Sequence, residues 1–415
     1  MSEKIWYNIP MLKKIFPSVS DSVALHLLKW SEFFYYFLII LPVILILYQN
    51  KGITVGDFFL IQGISRIATF LLEIPSGYLS DVFSRRKVLV LGALFFLAGN
   101  IWLYLGYGFW NIAIAEIIIG FAGALFSGTK EAYAYDLLKR MRREKDFLKE
   151  NGSLSSYCQA AGFVASVLGG WLYSYIGDGI IAVECGTALI ALIMIAMLPE
   201  ISEVKRKIAP ETSPLKDVMG LVKMSVRHPE IKWFMLFPSV FGSFTLIILW
   251  LFQPVMESVG MAVALFGVFM GLNQFSRLVF TKFANRIFDF FGAGRLLKLI
   301  CILMFIVLWM VLICVNVPLG WWSYMLMTFI VICPALQKMC SLVFSSFIHK
   351  RIKSSERGTV VSLNSMYMTA LNALGMFVMK PLLDGWGISW SVCVVLCMFV
   401  VLLWPLKKVL EIENL

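Results

Sequence analysis

Charged side chains are scarce in this sequence. Asp, Glu, Lys and Arg together make up 15% of the 415 residues, whereas soluble domains carry about 25%. Hydrophobic residues reach 60%, and the mean hydropathy is +0.83. This composition excludes an ordinary soluble protein. It predicts an all-α membrane protein, because a helix satisfies its own backbone hydrogen bonds in lipid.

Motifs of nucleotide-dependent and metal-dependent chemistry are also missing. The chain has no GxxxxGK[ST] segment to bind a nucleotide phosphate, and no HExxH or GxSxG segment typical of hydrolases. Its three histidines are far apart, and its eight cysteines include no CxxC pair. We therefore expect no enzyme activity, no metal and no cofactor, and an ion gradient, with H+ as the leading candidate, as the energy source.

Basic residues outnumber acidic ones, which gives a net charge of +11. They occur in short clusters between apolar runs rather than along one aromatic face, and this argues against nucleic-acid binding. Loops rich in Lys and Arg stay on the cytoplasmic side of a membrane. Clusters at 85–87, 139–149, 205–232 and 350–357 alternate with loops whose only basic residue is Lys51, so both termini are predicted to be cytoplasmic.

Apolar stretches of about 20 residues, enough to cross a bilayer as a helix, recur along the whole chain. Gly, Pro, Asn and charge clusters divide them into twelve predicted spans: 23–48, 57–80, 88–107, 110–137, 154–175, 180–198, 233–256, 260–283, 296–315, 320–349, 359–382 and 386–406.

The longest connection between spans divides the chain into two six-helix halves. The predicted organisation is an interfacial N-terminal segment (1–22), a six-helix bundle (23–199), a cytoplasmic loop (200–232), a second six-helix bundle (233–406) and a cytoplasmic tail (407–415). Two pseudo-symmetric bundles are the layout of an internally repeated secondary transporter, whose binding site lies where the halves meet.

The segment between the second and third predicted spans reads Gly77-Tyr78-Leu79-Ser80-Asp81-Val82-Phe83-Ser84-Arg85-Arg86-Lys87. It resembles the loop motif of the major facilitator superfamily, G-x-L-A-D-x-x-G-R-R/K. Segments 73–77, 127–132 and 357–362 look like a poorly characterised, efflux-like bacterial branch of that superfamily. The resemblance implies a twelve-helix transporter that works by alternating access in a bacterial inner membrane.

The same resemblance implies a cytoplasmic gate between the halves. In the superfamily the motif Asp docks on the start of the eleventh helix, and the motif Arg pairs with an acid at the end of the fourth. The gate residues implied here are Gly77, Asp81, Arg85, Arg86, Asp136 and Gly358. Asp81 would meet Gly358, Arg85 would meet Asp136, and Gly77 would allow close helix approach.

Polar side chains inside the predicted spans form the candidate site. Each ionisable one costs at least about 2.5–3.5 kcal/mol in lipid unless it faces a cavity or a partner. Glu32 and Tyr36 share one helical face of the first span, and Arg66 and Glu73 share one face of the second. The predicted substrate and proton pathway consists of Glu32, Tyr36, Arg66, Glu73, Glu116, Tyr157, Asn273, Arg277, Gln337, Lys338 and Asn364.

Two interpretations of these charges remain open. Glu32 or Glu116 carries a proton, as a carboxyl in a low-dielectric cavity can; alternatively, Glu32, Arg66 and Glu73 only neutralise one another between helices. Arg277 and Lys338 have no acid nearby in the sequence. We therefore predict that these two cations face the substrate, and that the substrate has an anionic or zwitterionic part.

Three functions fit the sequence. The leading one is a proton-coupled transporter, with export of a small amphipathic organic compound favoured by the family resemblance. The second is uptake of an anionic metabolite by proton symport. The third is a membrane receptor or scaffold that keeps the fold without transport. We expect a monomer in the lipid bilayer with a small-molecule substrate.

Overall fold

A computed structural model describes residues 19–201, 229–317, 320–351 and 354–413; within these ranges, side chains are described except at 73–82, 229–231, 285, 321, 345–351, 354–363, 365, 405 and 411–413. All regular structure in the described ranges is helical. Most of the predicted N-terminal segment and of the central loop, namely 1–18 and 202–228, lies outside the described residues.

The helices of the N-terminal half are α1 (Asp21–Tyr35), α2 (Ile44–Asn50), α3 (Val55–Val82), α4 (Arg85–Leu105), α5 (Phe109–Phe126), α6 (Thr129–Arg140), α7 (Phe147–Ile176) and α8 (Ile180–Ala196). The helices of the C-terminal half are α9 (Pro229–Ser258), α10 (Val263–Phe291), α11 (Ala293–Asn316), α12 (Trp321–Met327), α13 (Cys333–Arg351) and α14 (Ser354–Glu413).

Nine stretches of the described residues are long and apolar enough to cross a membrane. Two of them are much longer than the others: Glu144–Ala196 has 53 residues and contains the turn Gly177–Gly179, and Met366–Leu410 has 45 residues and contains the kink at Gly387. Since about 20 residues cross the bilayer once, each of these two is long enough to cross twice. The prediction of an all-helical membrane protein is confirmed, whereas the number twelve and the position of the termini stay predictions.

The first predicted span, 23–48, is not one continuous helix. α1 ends at Tyr35, residues 36–40 are irregular, and a 3₁₀ turn at Leu41–Val43 leads into α2. Pro42 lacks a backbone N–H and its ring disfavours a preceding helical turn. A Cβ on Gly169 of α7 would overlap the carbonyl oxygen of Ile39. The missing side chain at 169 therefore lets α7 pack directly on the irregular segment, which we call the α1–α2 break (36–43).

The turns between helices form two ends of different charge. The basic end carries the turns at 83–87, 139–146 and 291–295, and the low-charge end carries those at 51–54, 106–108, 177–179 and 259–262. Within these low-charge turns Lys51 is the one basic residue. Adjacent helices run between the two ends, as expected for a chain that crosses a bilayer repeatedly.

Lys51 has a structural role at the low-charge end. The side chain is buried, and its Nζ donates to the carbonyl oxygens of Tyr104 at 3.0 Å and Gly106 at 2.9 Å, which lie at the end of α4. Its ammonium also lies 4.2 Å from the centroid of the Tyr107 ring. Burial lowers the pKa of Lys51 below its ordinary value of 10.5, and the carboxylate of Asp178 opposes this shift.

The two halves meet along two helix pairs, α7 with α10 and α3 with α14. In the first pair a Cβ on Gly170 would lie 2.7 Å from the backbone nitrogen of Gly267, so the two helix backbones are in direct contact. In the second pair a Cβ on Gly56 would overlap the carboxyl group of Asp384. Glycine at these positions therefore sets how closely the halves approach.

Candidate functional site

Glu32 and Tyr36 belong to one buried polar cluster of the N-terminal half. Glu32 is 1% exposed, and its Oε2 accepts hydrogen bonds from Lys130 Nζ at 2.9 Å and from Cys158 Sγ at 3.2 Å. Lys130 Nζ also lies 3.4 Å from Tyr36 Oη and 4.8 Å from the centroid of that ring. Glu32 Oε1 is buried without a hydrogen-bond partner. The cluster therefore holds a fixed ion pair and retains one free acceptor.

Lys130 was not among the predicted pathway residues. The sequence predicts one span over 110–137, but the structure ends α5 at Phe126 and begins α6 at Thr129, after Gly128 adopts a φ of 74°. This break turns the start of α6 towards α1 and brings Lys130 to Glu32. The signal was available, because a lysine within a predicted apolar span needs an anionic partner.

Glu116 lies in a second cluster, between α2, α3 and α5 and therefore within the N-terminal half. Tyr48 Oη donates a hydrogen bond to Glu116 Oε1, and Gln62 Nε2 donates to the same oxygen at 3.3 Å. Arg66 is near enough to interact electrostatically with this carboxyl group. Glu32 and Arg66 thus have separate partners, Lys130 and Glu116. The side chain of Glu73 lies outside those described.

The predicted pathway residues of the C-terminal half include two adjacent cations. Arg277 on α10 is exposed although it lies within a span, Lys338 on α13 is half-buried, and the two are near enough to repel each other. Neither forms an ion pair with an acid among the described residues. Asn273, one helical turn before Arg277, is 2% exposed, and both polar atoms of its amide lack a hydrogen-bond partner.

The remaining predicted pathway residues are more loosely placed. Asn364 Oδ1 accepts a hydrogen bond from Ser239 Oγ at 3.1 Å, which ties α14 to α9. Gln337 is half-buried beside Gly242. Tyr157 is half-buried, and its ring packs edge-on against Trp30 at a centroid distance of 5.4 Å.

The antiparallel pairing of α7 with α10 brings Arg277 of the C-terminal half and Glu32 of the N-terminal half to a similar depth. A Cβ on Gly162 would lie 2.9 Å from Gln274 Nε2, and Phe163 contacts Phe275 at a centroid distance of 6.4 Å. Continuing this pairing by one turn places Arg277 level with residue 160, two positions from Cys158, which contacts Glu32. Charged groups of both halves therefore border the surface where the halves meet.

The predicted gate residues are described only in part. Arg85 forms an ion pair with Asp136 and donates to the carbonyl oxygen of Ala132 at 2.8 Å. Arg86 lies 3.9 Å from a carboxylate oxygen of Glu200. These contacts fasten the start of α4 to α6 and to the end of α8, all within the N-terminal half. Gly77, Asp81 and Gly358 lie in the stretches 73–82 and 354–363, for which side-chain contacts are not described.

Polar contacts between the halves concentrate towards the low-charge end. Lys380 Nζ of α14 lies 2.5 Å from Asp57 Oδ1 of α3 and 2.9 Å from Asp384 Oδ2. Gln49 Nε2 donates to Glu257 Oε2 at 3.2 Å. Between described side chains, the hydrogen bonds and ion pairs that join the halves all lie in this part of the molecule. The structure is therefore closed at the low-charge end.

Two functional candidates that the sequence did not reveal hold the α1–α2 break. Glu184 of α8 is 1% exposed, and its Oε2 accepts from the backbone N–H groups of Ile39 at 2.7 Å and Ile40 at 3.3 Å. Gln253 of α9 accepts from Leu45 N at 2.9 Å and donates to Leu41 O at 2.9 Å. Backbone groups at membrane depth need such partners.

Comparisons with known proteins agree with this architecture. The family model described as Major Facilitator Superfamily matches residues 30–376. The crystal structure of the nucleoside transporter NupG is 13% identical, has a TM-score of 0.79 and covers 94% of this chain and 99% of its own. A bacterial homologue of the human lysosomal transporter Spinster, in an inward-facing and occupied conformation, is 14% identical with a TM-score of 0.70 and covers 95% and 97%. At these identities the likeness concerns the fold alone.

A curated relative is closer in sequence over a short stretch. An uncharacterized transporter of Buchnera aphidicola subsp. Acyrthosiphon pisum (strain APS) is 37% identical over 93 residues, which are 22% of this chain and 23% of that protein. The chain thus matches about a quarter of the length of this relative. The family model, in contrast, covers most of the chain. With its all-helical fold and apolar spans, the chain is a multi-pass membrane transporter, and it belongs to the major facilitator superfamily.

Proposed function

We propose that this chain is a proton-coupled secondary transporter that moves a small organic solute with an anionic or zwitterionic part by alternating access. The observation that carries this is the charge arrangement where the halves meet. Glu32 is paired with Lys130 in one half, whereas Arg277 and Lys338 in the other half are adjacent cations without an acid among the described residues. Because charge at membrane depth needs compensation, a carboxylate or phosphate of the solute is the natural partner.

The positive-inside rule gives the orientation of this proposal. The basic end is cytoplasmic, and the closed low-charge end faces the other side of a bacterial inner membrane. A molecule closed at its outer end corresponds to the inward-facing arrangement of an alternating-access cycle, and a monomer contains both halves that the cycle needs. Exposed Arg277 is then reached from the cytoplasm.

Glu32 is the residue that we propose as the proton carrier. It contacts Cys158 of α7, the helix that packs on the C-terminal half, whereas Glu116 is enclosed by Tyr48 and Gln62 within the N-terminal half. An anionic solute near Lys130 would draw the ammonium away from Glu32. The unpaired carboxylate then takes up a proton from water, so that an anionic solute and the proton bind together, as symport requires. In export by antiport, the cationic group of a zwitterionic solute would instead compete with the proton for Glu32.

Transport in proteoliposomes tests the proton assignment. The purified protein is screened with labelled organic anions and zwitterions under an imposed pH gradient of either sign. For a transported solute, Glu32→Gln should abolish accumulation driven by the gradient but retain solute exchange between the two sides. The matched variant Glu116→Gln should retain both activities. Wild-type accumulation by Glu32→Gln would refute the role of Glu32.

The sign of the pH gradient that drives solute accumulation also distinguishes export from uptake. We favour export from the efflux-like resemblance. Uptake of an anionic metabolite by proton symport is the second candidate, and the Arg277–Lys338 pair favours it. Lys338→Met should weaken binding of the transported anion at least tenfold, whereas Lys298→Met, an exposed lysine on α11, should not. If no solute is transported and no variant changes binding, the non-transporting receptor or scaffold is favoured.

A further inference from the structure

The side-chain amide of Gln253 occupies a specific gap in the backbone of the first span. Gln253 is 1% exposed and belongs to α9 in the C-terminal half, yet its two hydrogen bonds go to Leu41 O and Leu45 N in the N-terminal half. Residues 41 and 45 are four apart, and in an uninterrupted α-helix the N–H of Leu45 would bond to the carbonyl oxygen of Leu41. The amide is therefore inserted between the donor and the acceptor of one backbone hydrogen bond of the helix.

A side chain inserted in this way has two consequences. It bends or breaks the helix that receives it, and here the break coincides with the start of α2. It also ties the two halves together, because donor and acceptor are both satisfied only while α9 stays against α2. When the amide withdraws, no backbone group is left without a hydrogen-bond partner, since Leu45 N and Leu41 O can bond directly to each other. Pro42 does not prevent this, because proline is well tolerated in the first turn of a helix.

Glu184 provides the contrast within the same break. Its carboxylate accepts from Ile39 N and Ile40 N at 2.7 and 3.3 Å, and α8 belongs to the same half as the break. These bonds need not change when the halves move. One side of the break is thus fixed within the N-terminal half, and the other side is held by the opposite half.

We propose that Gln253 is a positioning residue of the transport cycle and exchanges hydrogen-bond partners during it. With the low-charge end closed, its amide fills the gap between Leu41 and Leu45. As that end opens, the amide leaves, the gap closes to a regular helical hydrogen bond, and water solvates the freed amide. The break begins at Tyr36, beside the Lys130–Glu32 pair. It therefore connects the site to the closed end.

This inference rests on the alternating access proposed above, and distance measurements that need no known solute test both. Spin labels are introduced as an unnatural amino acid, so that the native cysteines remain. One pair of exposed positions, Ala182 and Asn316, reports the low-charge end, and a second pair, Lys139 and Arg295, reports the basic end. Full-length protein in lipid nanodiscs is compared with its Gln253→Leu variant by pulsed electron paramagnetic resonance.

Gln253→Leu removes both hydrogen bonds at similar volume. We expect the ratio of open to closed molecules at the low-charge end to rise about tenfold. In the same molecules the distance between the two labels at the basic end should shorten. Gln253→Glu should behave differently, because a protonated carboxyl group can still donate to Leu41 O whereas a carboxylate cannot. Its low-charge end should be closed at pH 5 and open at pH 8.

The controls separate this role from simple packing. Glu184→Gln alters the same break within one half, and Thr245→Val removes a buried hydroxyl of α9 that bonds only to Phe241 O of its own helix; both should keep the wild-type distances. Wild type at the two pH values serves as the reference for the other ionisable groups along these elements, namely Glu257, Asp57, Lys380, Asp384, Tyr48 and Glu184.

Each result decides between the two proposals. If the ends exchange in wild type but Gln253→Leu leaves the ratio unchanged, and Gln253→Glu shows no more pH dependence than wild type, the partner exchange is refuted and alternating access stands. If neither label pair changes distance in any variant, at either pH or with any screened solute, alternating access itself is refuted. A poorly folding Gln253→Leu variant leaves Gln253→Glu to decide.

Discussion

Removing Lys130 should have a larger effect on stability than removing any exposed lysine. Glu32 is 1% exposed and Lys130 only 17% exposed, so Lys130→Met leaves a buried carboxylate without its cation. Loss of one partner of a buried ion pair costs about 3–5 kcal/mol, whereas replacing both partners by uncharged residues is often close to neutral. We expect Lys130→Met to destabilise by about 3 kcal/mol, roughly a hundredfold in the unfolding equilibrium.

A double-mutant cycle isolates the interaction between the two side chains. Adding Glu32→Gln to Lys130→Met should restore most of the lost stability. Equilibrium unfolding in mixed micelles, followed by tryptophan fluorescence, measures all four proteins.

Lys29 provides a matched control in the same half. Its Nζ lies 2.7 Å from Glu150 Oε2, with side-chain exposures of 12% and 10%, but Glu150 also contacts Arg143 at 3.0 Å. Lys29→Met therefore leaves the acid with a second cation and should cost about 1 kcal/mol or less. If the Lys130→Met, Glu32→Gln double variant is as unstable as Lys130→Met alone, Lys130 does not act by pairing with Glu32.

Three further predictions follow from contacts at the junction of the halves and at the low-charge end. Gly170→Ala should destabilise by about 1–3 kcal/mol, because its Cβ would meet the backbone of Gly267, whereas Gly186→Ala, with open space around it, should not; equal melting curves would contradict this. Lys380→Met should lengthen the distance between labels at the low-charge end, because it removes the 2.5 Å contact with Asp57; an unchanged distance would show that this ion pair does not hold the end closed. Since burial lowers the pKa of Lys51, the folded protein releases that proton before the unfolded chain does. Stability relative to Lys51→Met should therefore rise between pH 8 and pH 10, and a flat or falling difference would exclude it.

The sequence predicted the elements whose causes are local. Apolar runs of bilayer length gave the helical membrane fold, and three- and four-residue spacing placed Glu32 beside Tyr36, which the structure brings together through Lys130. Charge alone also singled out Arg277 and Lys338. These features depend on composition and helical periodicity, which are visible in one sequence.

Features that depend on distant side chains were not predicted. The sequence predicts a continuous first span, because its break is held by Glu184 and Gln253, which lie 145 and 212 residues away from the groups they bind. Glu184 stands alone in an apolar helix, so no periodic pattern marked it. The partner of Glu32 was likewise hidden, because it depends on the turn at Gly128.

If one half rotates against the other, the backbone contact between Gly170 and Gly267 would be the pivot, because the two backbones already touch there. At 1.5 Å per residue, Arg277 lies about 15 Å along α10 from Gly267, and Phe291 at the end of that helix lies about 36 Å away. A tilt of roughly 10° about the contact would move Arg277 by only about 2.6 Å, but the helix end by about 6 Å. A large opening at the basic end is thus compatible with a nearly stationary cation at the depth of Glu32.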